Sequence, residues 1–369
     1  MISQLKTPIR TPGRLAAYAA AVILAAGLAV SAAAAVEATL SPVDAARRDG
    51  LPRKVLVGTM VCGPELFTLS LERRLQRMDE SLDSIAAQAK SGYPGKRLDL
   101  VILPEAFLSH PGDTVGVEAV RLSEVQEPIA AGARRLGSYL IVPMLLNESG
   151  AAPLYSNVAV LFDRSGKVAG IYRKVHPVAP EGSDVIETGT KPGGSFPVFD
   201  CDFGRVGIQI CFDMLYADGW AALAKQGAEI VALPTASPQT TYPSFYAQQH
   251  RYYVVSAAPR DHAAFYSPVG LIETEVTQPG TLVHEIDLSY ALIHWESFLE
   301  EGQAFARKYG DRAGFLYYRD QDEGIFWSND PAVPIGKMLS SLGLREMSES
   351  VERIRRVQDT ARGGAPLSP

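Results

Sequence analysis

Two hydrophobic rhythms run through this chain, and between Gly204 and Pro234 one follows directly on the other. Val206, Ile208 and Ile210 alternate with Gly207, Gln209 and Cys211, a period of two that predicts a strand ending at Cys211. After Phe212-Asp213 the period changes: Trp220, Leu223 and Ala224 take helical spacing, with Gly227 as the stop. Residues 229–233 predict a further strand. A cysteine therefore stands at a tight elbow between strand and helix. An elbow exposes its side chain above the sheet end and leaves the next backbone N–H groups free to bind. A helix starting nearby adds partial positive charge, which lowers a thiol pKa. The bland alternative is an inert buried cysteine at a strand end.

The same two rhythms divide the rest of the chain. Residues 54–61 predict a strand and 71–90 a helix, with Leu71, Leu75, Met78, Leu82 and Ile85 on one stripe. Residues 98–103 predict a short apolar strand buried on both faces, ending at Pro104-Glu105-Ala106-Phe107. A helix over 118–135 and a strand over 139–146 follow. Segments 155–162 and 167–174 flank Asp163-Arg164-Ser165-Gly166, a hairpin turn. Residues 175–194 form a loop rich in Pro and Gly, long enough to suggest function. Strands are predicted at 196–199 and 204–211, a helix at 243–250, and strands at 252–257, 267–272 and 281–286. From Trp295 the chain turns aromatic and charged, with a last helix near 346–362. Alternating strands and helices followed by hairpins predict an α/β domain over 39–295, with a mixed sheet or two packed sheets. Residues 296–369 read as a C-terminal extension that wraps or pairs subunits.

Composition narrows the class. The chain has 369 residues, 47% hydrophobic and 21% charged, with net charge −6. These values are ordinary for a globular protein and argue against nucleic acid as a partner. Lys6, Arg10 and Arg14 precede an apolar run that closes in small residues, with Ala-x-Ala options after Ala35 or Ala38. Residues 1–38 therefore read as a cleavable signal peptide, which implies a periplasmic or secreted protein with no stable membrane anchor. An uncleaved signal anchor is the alternative. Cys62, Cys201 and Cys211 make no disulfide framework, although an oxidising compartment leaves a Cys62–Cys201 pair open. His250, His262, His284 and His294 lack metal-ligand spacing, so neither metal nor other cofactor is expected.

Glu105, Lys174 and Cys211 each stand where a predicted strand ends. Singly, Glu105 reads equally as a loop cap and Lys174 as a solvated strand end. A carboxylate, a cation and a thiol together on the loop-bearing rim are more specific. LPEAF, YRKVHP and GIQICFD, in that order and 69 and 37 residues apart by their polar members, resemble the signatures of the nitrilase-like carbon–nitrogen hydrolase superfamily. The resemblance covers about residues 53–290. It implies an α-β-β-α sandwich that associates across a helical face into dimers or larger oligomers. It matches Glu105, Lys174 and Cys211 to a catalytic Glu-Lys-Cys set, and places a second carboxylate in the loop after the lysine. Glu181 and Glu187 both qualify there; Glu187, just before Lys191-Pro192-Gly193, is preferred. A Cys-His hydrolase would use His176, but the resemblance supplies Glu105 as base instead.

The chemistry suits the residue types. A thiol is the best nucleophile near neutral pH once it becomes thiolate, which Lys174 favours. Glu105 can take the thiol proton and return it to the leaving amine. Lys174 and the backbone N–H of Phe212 are the candidate oxyanion donors. Tyr155, Phe107, Phe212 and residues 234–240 are candidates to line a pocket, with aromatic core as the equal alternative. Nitrilases in this superfamily usually carry Trp-Glu after the cysteine; Phe212-Asp213 looks more like the amidase and carbamoylase branches. The absence of Arg between Cys211 and His250 weakens the carbamoylase option. The expectation is an exported thiol amidohydrolase acting on a small-molecule amide or N-carbamoyl (ureido) group. A nitrilase is the alternative, and a catalytically silent binding or assembly protein the alternative of another class.

Overall fold

The computed structural model describes residues 42–109, 119–148, 155–182 and 184–363. The expected signal peptide lies outside the described residues. Among the described residues no helix is long and apolar enough to cross a membrane. The elements up to residue 287 run α1 (Pro42–Asp49), β1 (Lys54–Val61), α2 (Leu71–Gly92), β2 (Leu100–Ile102), α3 (Leu122–Leu136), β3 (Tyr139–Asn147), β4 (Tyr155–Phe162), β5 (Val168–Arg173), β6 (Val198–Asp200), β7 (Arg205–Ile208), α4 (Ala217–Lys225), β8 (Ile230–Pro234), α5 (Thr241–His250), β9 (Tyr253–Ala257), β10 (Ala263–Tyr266), β11 (Ile272–Val276) and β12 (Gly280–Asp287). One sheet has the order β12-β1-β2-β3-β4-β5 and the other β11-β10-β9-β8-β7-β6.

The period of two sorts each strand's side chains onto two buried faces. Val55, Val57, Leu100, Ile102 and Ile141 point inward, against Val206, Ile208, Ile230, Ala232 and Val255 of the second sheet. Leu56, Val101 and Leu140 point outward, under Met78, Leu82 and Ile85 of α2 and Val125 and Ile129 of α3. Trp220 and Leu223 of α4 and Tyr246 and Ala247 of α5 cover Val231, Val254 and Ala264 on the far side. The result is an α-β-β-α sandwich. Gly58 lets α2 approach this closely, because a Cβ there would lie 2.6 Å from Ile85 Cγ2.

Several predicted bounds move. The strand expected to reach Cys211 stops at Ile208, and the one expected over 98–103 shortens to Leu100–Ile102. The helix expected from 118 begins at Leu122, and residue 118 is outside the described set. The strand expected over 267–272 straddles a turn: Ser267 N–H donates to Leu271 O at 2.8 Å and Gly270 takes φ 81°. Val269 and Leu271 imitate a strand there, but Pro268 and Gly270 impose the reversal.

Beyond β12 the chain builds a third sheet from β13 (Tyr290–His294), β14 (Ala313–Tyr318) and β15 (Glu323–Ser328), in the order β13-β15-β14. With α6 (Gln303–Tyr309) and α7 (Ile335–Ser340) it encloses its own core around Ile293, Phe305, Phe326 and Met338. Its other face sends Tyr290, Leu292 and Ile325 into the inter-sheet core. The bridge between Val61 and Ala258 aligns the far ends of β1 and β9. The third sheet meets the opposite end, where Arg251 pairs with Glu323 at 2.7 Å and Lys54 Nζ lies 5.2 Å from the Trp327 ring centroid. These contacts hold within Leu40–Ser348, one of two compact units. The other contains, among its described residues, most of the helix α8 (Met347–Ala361).

Candidate active site

The three expected residues follow strands of both sheets. Leu103-Pro104 carry the chain from β2 to Glu105, and Lys174 directly follows β5, both in the first sheet. Cys211 follows β7 of the second sheet and opens a single 3₁₀ turn, Cys211–Leu215. The β4–β5 ladder places Lys174 opposite Asn157, whose carbonyl accepts the Lys174 N–H at 2.8 Å. The loop after Lys174 returns along the same hairpin: Lys191 N–H donates to Tyr155 O at 2.7 Å and Gly193 N–H to Lys174 O at 2.8 Å. A Cβ on Gly193 would sit 2.2 Å from the Arg173 carbonyl, so that return needs glycine. This path brings Glu187 over the lysine, while Glu181 stays exposed.

The polar groups converge between the two sheets' strand ends. Lys174 Nζ lies 2.9 Å from Glu105 Oε1 and 2.8 Å from Glu187 Oε1. Asn157 Nδ2 donates to the same two oxygens at 2.9 and 3.2 Å. The other Glu105 oxygen, Oε2, accepts the Ala236 N–H at 2.9 Å. The Thr235 hydroxyl donates to the Ser237 carbonyl at 2.9 Å, and the charges of Glu105 and Lys174 both act on the Cys211 sulfur. Glu105 and Lys174 are only 5% and 1% exposed.

Burial sets the protonation states. It pulls the Lys174 pKa down, but Glu105, the Cys211 sulfur and Glu187 outweigh it, and the net shift is upward. Burial raises Glu187 against the pull of Lys174, and Glu105 adds to the rise. The Cys211 thiol is pushed up to about 12, first by burial and then by Glu105; Lys174, Thr235 and Ala236 recover only part. This corrects the expectation of a lowered thiol, because burial and the Glu105 charge together outweigh the pull of Lys174. Three residues here carry positive φ without being glycine: Ala106 (53°), Glu187 (30°) and Cys211 (45°). Such backbone costs of order 1–3 kcal/mol each and persists only where surrounding contacts enforce it.

The aromatic candidates separate. Phe107 is fully buried in the core beneath α2 and α3, so it packs and does not line a pocket. Phe212 is partly exposed and meets Tyr216 edge-on, with centroids 5.9 Å apart. Tyr155, half-buried, anchors the Glu187 loop through its carbonyl. His176 turns to Asp213, Nδ1 to Oδ1 at 3.1 Å, and stacks on Tyr216. Sequence reasoning missed Asn157 and the structural part of Asp213, and included Thr235 only within the 234–240 candidate stretch. Asn157 had a signal, being an amide just ahead of the apolar run of β4; Asp213 had none beyond proximity to a motif. Cys62 and Cys201 are both free thiols. Among the described residues no group of three or more His, Cys, Asp or Glu side chains is arranged to hold a metal ion.

The fold and this Glu-Lys-Cys cluster, its acid and lysine buried and its cysteine partly exposed, describe a hydrolase built on two facing sheets. A family model for carbon-nitrogen hydrolases matches residues 58–291, more than half the chain, and the protein belongs to that family. It is 31% identical over 219 residues to omega-amidase NIT2-A of Xenopus laevis, covering 53% of this chain and 79% of that one. It is 32% identical over 173 residues to the deaminated glutathione amidase of Yersinia enterocolitica, covering 44% and 59%. Among solved structures, a carbon-nitrogen hydrolase from Helicobacter pylori G27 superposes with TM-score 0.53 at 19% identity, covering 64% of this chain and 90% of that one. Nit3 of Saccharomyces cerevisiae gives 0.51 at 18%, covering 74% and 98%. These two structures share the fold.

Proposed function

We propose that the protein is an exported thiol amidohydrolase that cleaves a small-molecule amide through a Cys211 thioester. The observation that carries this reading is the Glu105 carboxylate, which holds Lys174 with one oxygen and the Ala236 N–H with the other, while the charges of Glu105 and Lys174 both act on the Cys211 sulfur. With the thiol raised to about 12, the proton rests on sulfur until substrate arrives. Sulfur attacks the carbonyl carbon as Glu105 takes its proton. Lys174 and the Phe212 backbone N–H hold the resulting oxyanion. The carbon–nitrogen bond breaks, Glu105 returns the proton to nitrogen, and ammonia or amine leaves. Water, deprotonated by Glu105, then opens the thioester and frees the acid and the thiol. Glu187 and Asn157 keep Lys174 and Glu105 in register.

An amide is preferred to a nitrile because Phe212-Asp213 replaces the Trp-Glu of nitrilases and because the relatives named above are amidases. Export rests on the basic, apolar and small-residue sequence of 1–38. Tyr216, Tyr242 and Phe245, exposed on or beside α4 and α5, suit a helical face that pairs two copies. The test is ammonia release by the mature protein from a panel of small amides, ureido compounds and nitriles. Amide turnover is expected, abolished in Cys211→Ala at an unchanged thermal midpoint. Glu105→Gln is expected to lose roughly 10²–10⁴-fold in kcat. A folded protein that turns over nothing on the panel would overturn the reading.

A further inference from the structure

The catalytic groups stand on two different sheets. Glu105 and Lys174 belong to the first and Cys211 to the second. Apolar packing between sheets is non-directional: it sets their spacing but fixes the placement of a single elbow weakly. A directional fastener is needed, and one carboxylate supplies it. Asp213 is 0% exposed. Its Oδ2 accepts the Ile210 backbone N–H at 3.0 Å and the Tyr172 hydroxyl at 2.7 Å. Its Oδ1 accepts the His176 backbone N–H at 2.8 Å, with His176 Nδ1 3.1 Å from the same oxygen. Ile210 immediately precedes Cys211, and Tyr172 and His176 flank Lys174 on either side. The His176 ring is itself held, stacked on Tyr216 at 3.9 Å between centroids and 6° between planes, with Nε2 3.5 Å from Asp218 Oδ2.

We propose that Asp213 is the positioning residue that fixes the Cys211 elbow to the Lys174 strand end, with Tyr172 and His176 forming its socket on the lysine side. The inference rests on the reading of Cys211 and Lys174 as a catalytic pair. Asp213 is fully buried and acts through the backbone on both sides. A carboxylate buried this completely is a poor source of stability, since desolvation offsets what its hydrogen bonds return. Its four donors instead define one geometry between two chain segments that no strand pairing joins.

Asp213→Asn keeps the volume but presents an NH₂ group to one pair of donors whichever way the amide turns. The experiment measures kcat, KM, thermal midpoint and the rate of Cys211 alkylation by iodoacetamide, located by mass spectrometry. Glu323→Gln, at the opposite end of the sandwich, is the stability control. Asp213→Asn is expected to lower kcat about 100-fold with KM nearly unchanged, the scale of a misplaced reacting group. Tyr172→Phe, which removes one donor, is expected to show a smaller loss of the same kind, and Glu323→Gln to keep kcat. A folded Asp213→Asn with wild-type kcat overturns the proposal. So does a kcat loss no larger than that of Glu323→Gln at an equal drop in thermal midpoint. If Asp213→Asn does not fold, Tyr172→Phe and His176→Ala decide by the same criterion. If the wild-type enzyme turns over nothing on the amide panel, it is the functional reading that fails. The alkylation rate then still decides here: a several-fold change in Asp213→Asn supports the fastener, and an unchanged rate overturns it.

Discussion

At Cys211 the competition for one proton is decided by burial and by Glu105, both of which favour the neutral thiol over the anion. Cys62 and Cys201 are raised to about 12 as well, each chiefly by burial. At pH 8 a thiol at about 12 has a thiolate fraction roughly a thousandfold below that of one at 9.0. The native protein is therefore expected to react slowly with iodoacetamide at all three cysteines, and quickly once unfolded in urea; mass spectrometry resolves the sites. Rapid labelling of native Cys211 at pH 8 would rule out a protonated resting thiol. The same protection would matter under the export proposed above, because oxidation begins from the thiolate. Strand ends together with the three motifs singled out Glu105, Lys174 and Cys211 as candidates. They could not show where the thiol proton rests, because that depends on how deeply the sulfur lies and on how strongly the Glu105 charge acts on it.

Elements with one uninterrupted rhythm were legible: β1, α2 and the β4–β5 hairpin lie where the period of two or the apolar stripe places them. Elements with a mixed rhythm were not. β14 reads AGFLYY, with Phe315 and Tyr317 against one core, Tyr318 against another and Leu316 exposed, so its alternation is hidden by apolar residues on both faces. The extension consequently read as a wrapping tail, when it holds a sheet of its own that starts at Tyr290, before the boundary drawn at 295. Phe326 is central to it, fully buried, with ring centroids 5.1 Å from Phe305 and 5.6 Å from Phe315. Phe326→Ala is expected to cost roughly 3–5 kcal/mol. Thermal unfolding should show a clear drop, while kcat of the folded protein stays at the wild-type value because the site lies at the other end of the strands. A parallel fall in kcat at temperatures where the variant is folded would mean that the extension reaches the site.

Across the whole molecule the groups with raised pKa values share one consequence. Cys62, Cys201 and Cys211 move from 9.0 to about 12, and Tyr290 and Tyr318 from 10.0 to about 12, in each case chiefly through burial. Tyr172, Tyr252 and Tyr253 rise well above 10.0 for the same first reason. Between pH 9 and 12 the unfolded chain releases these protons while the folded chain keeps them. The unfolded state then binds fewer protons, so stability falls as pH rises, by about 1.4 kcal/mol per pH unit for each such group. The contribution is complete below pH 9 and lost through about 12. The acid side is mixed: Asp163, Asp202, Asp330 and Glu300 are lowered, which favours the fold above the carboxylate range, whereas Asp213, Glu187 and Glu323 are raised, which opposes it. The stability profile is therefore expected to be asymmetric, shallow between pH 4 and 8 and steep above pH 9. Urea midpoints across that range test it, and a Cys62→Ser/Cys201→Ser double variant should flatten the alkaline limb by removing two of the protons. A symmetric profile, or an alkaline limb indifferent to those two thiols, would mean that burial does not hold the protons as described. The resting protonated Cys211 would then lose its physical basis as well, since burial is the first cause of its raised pKa too.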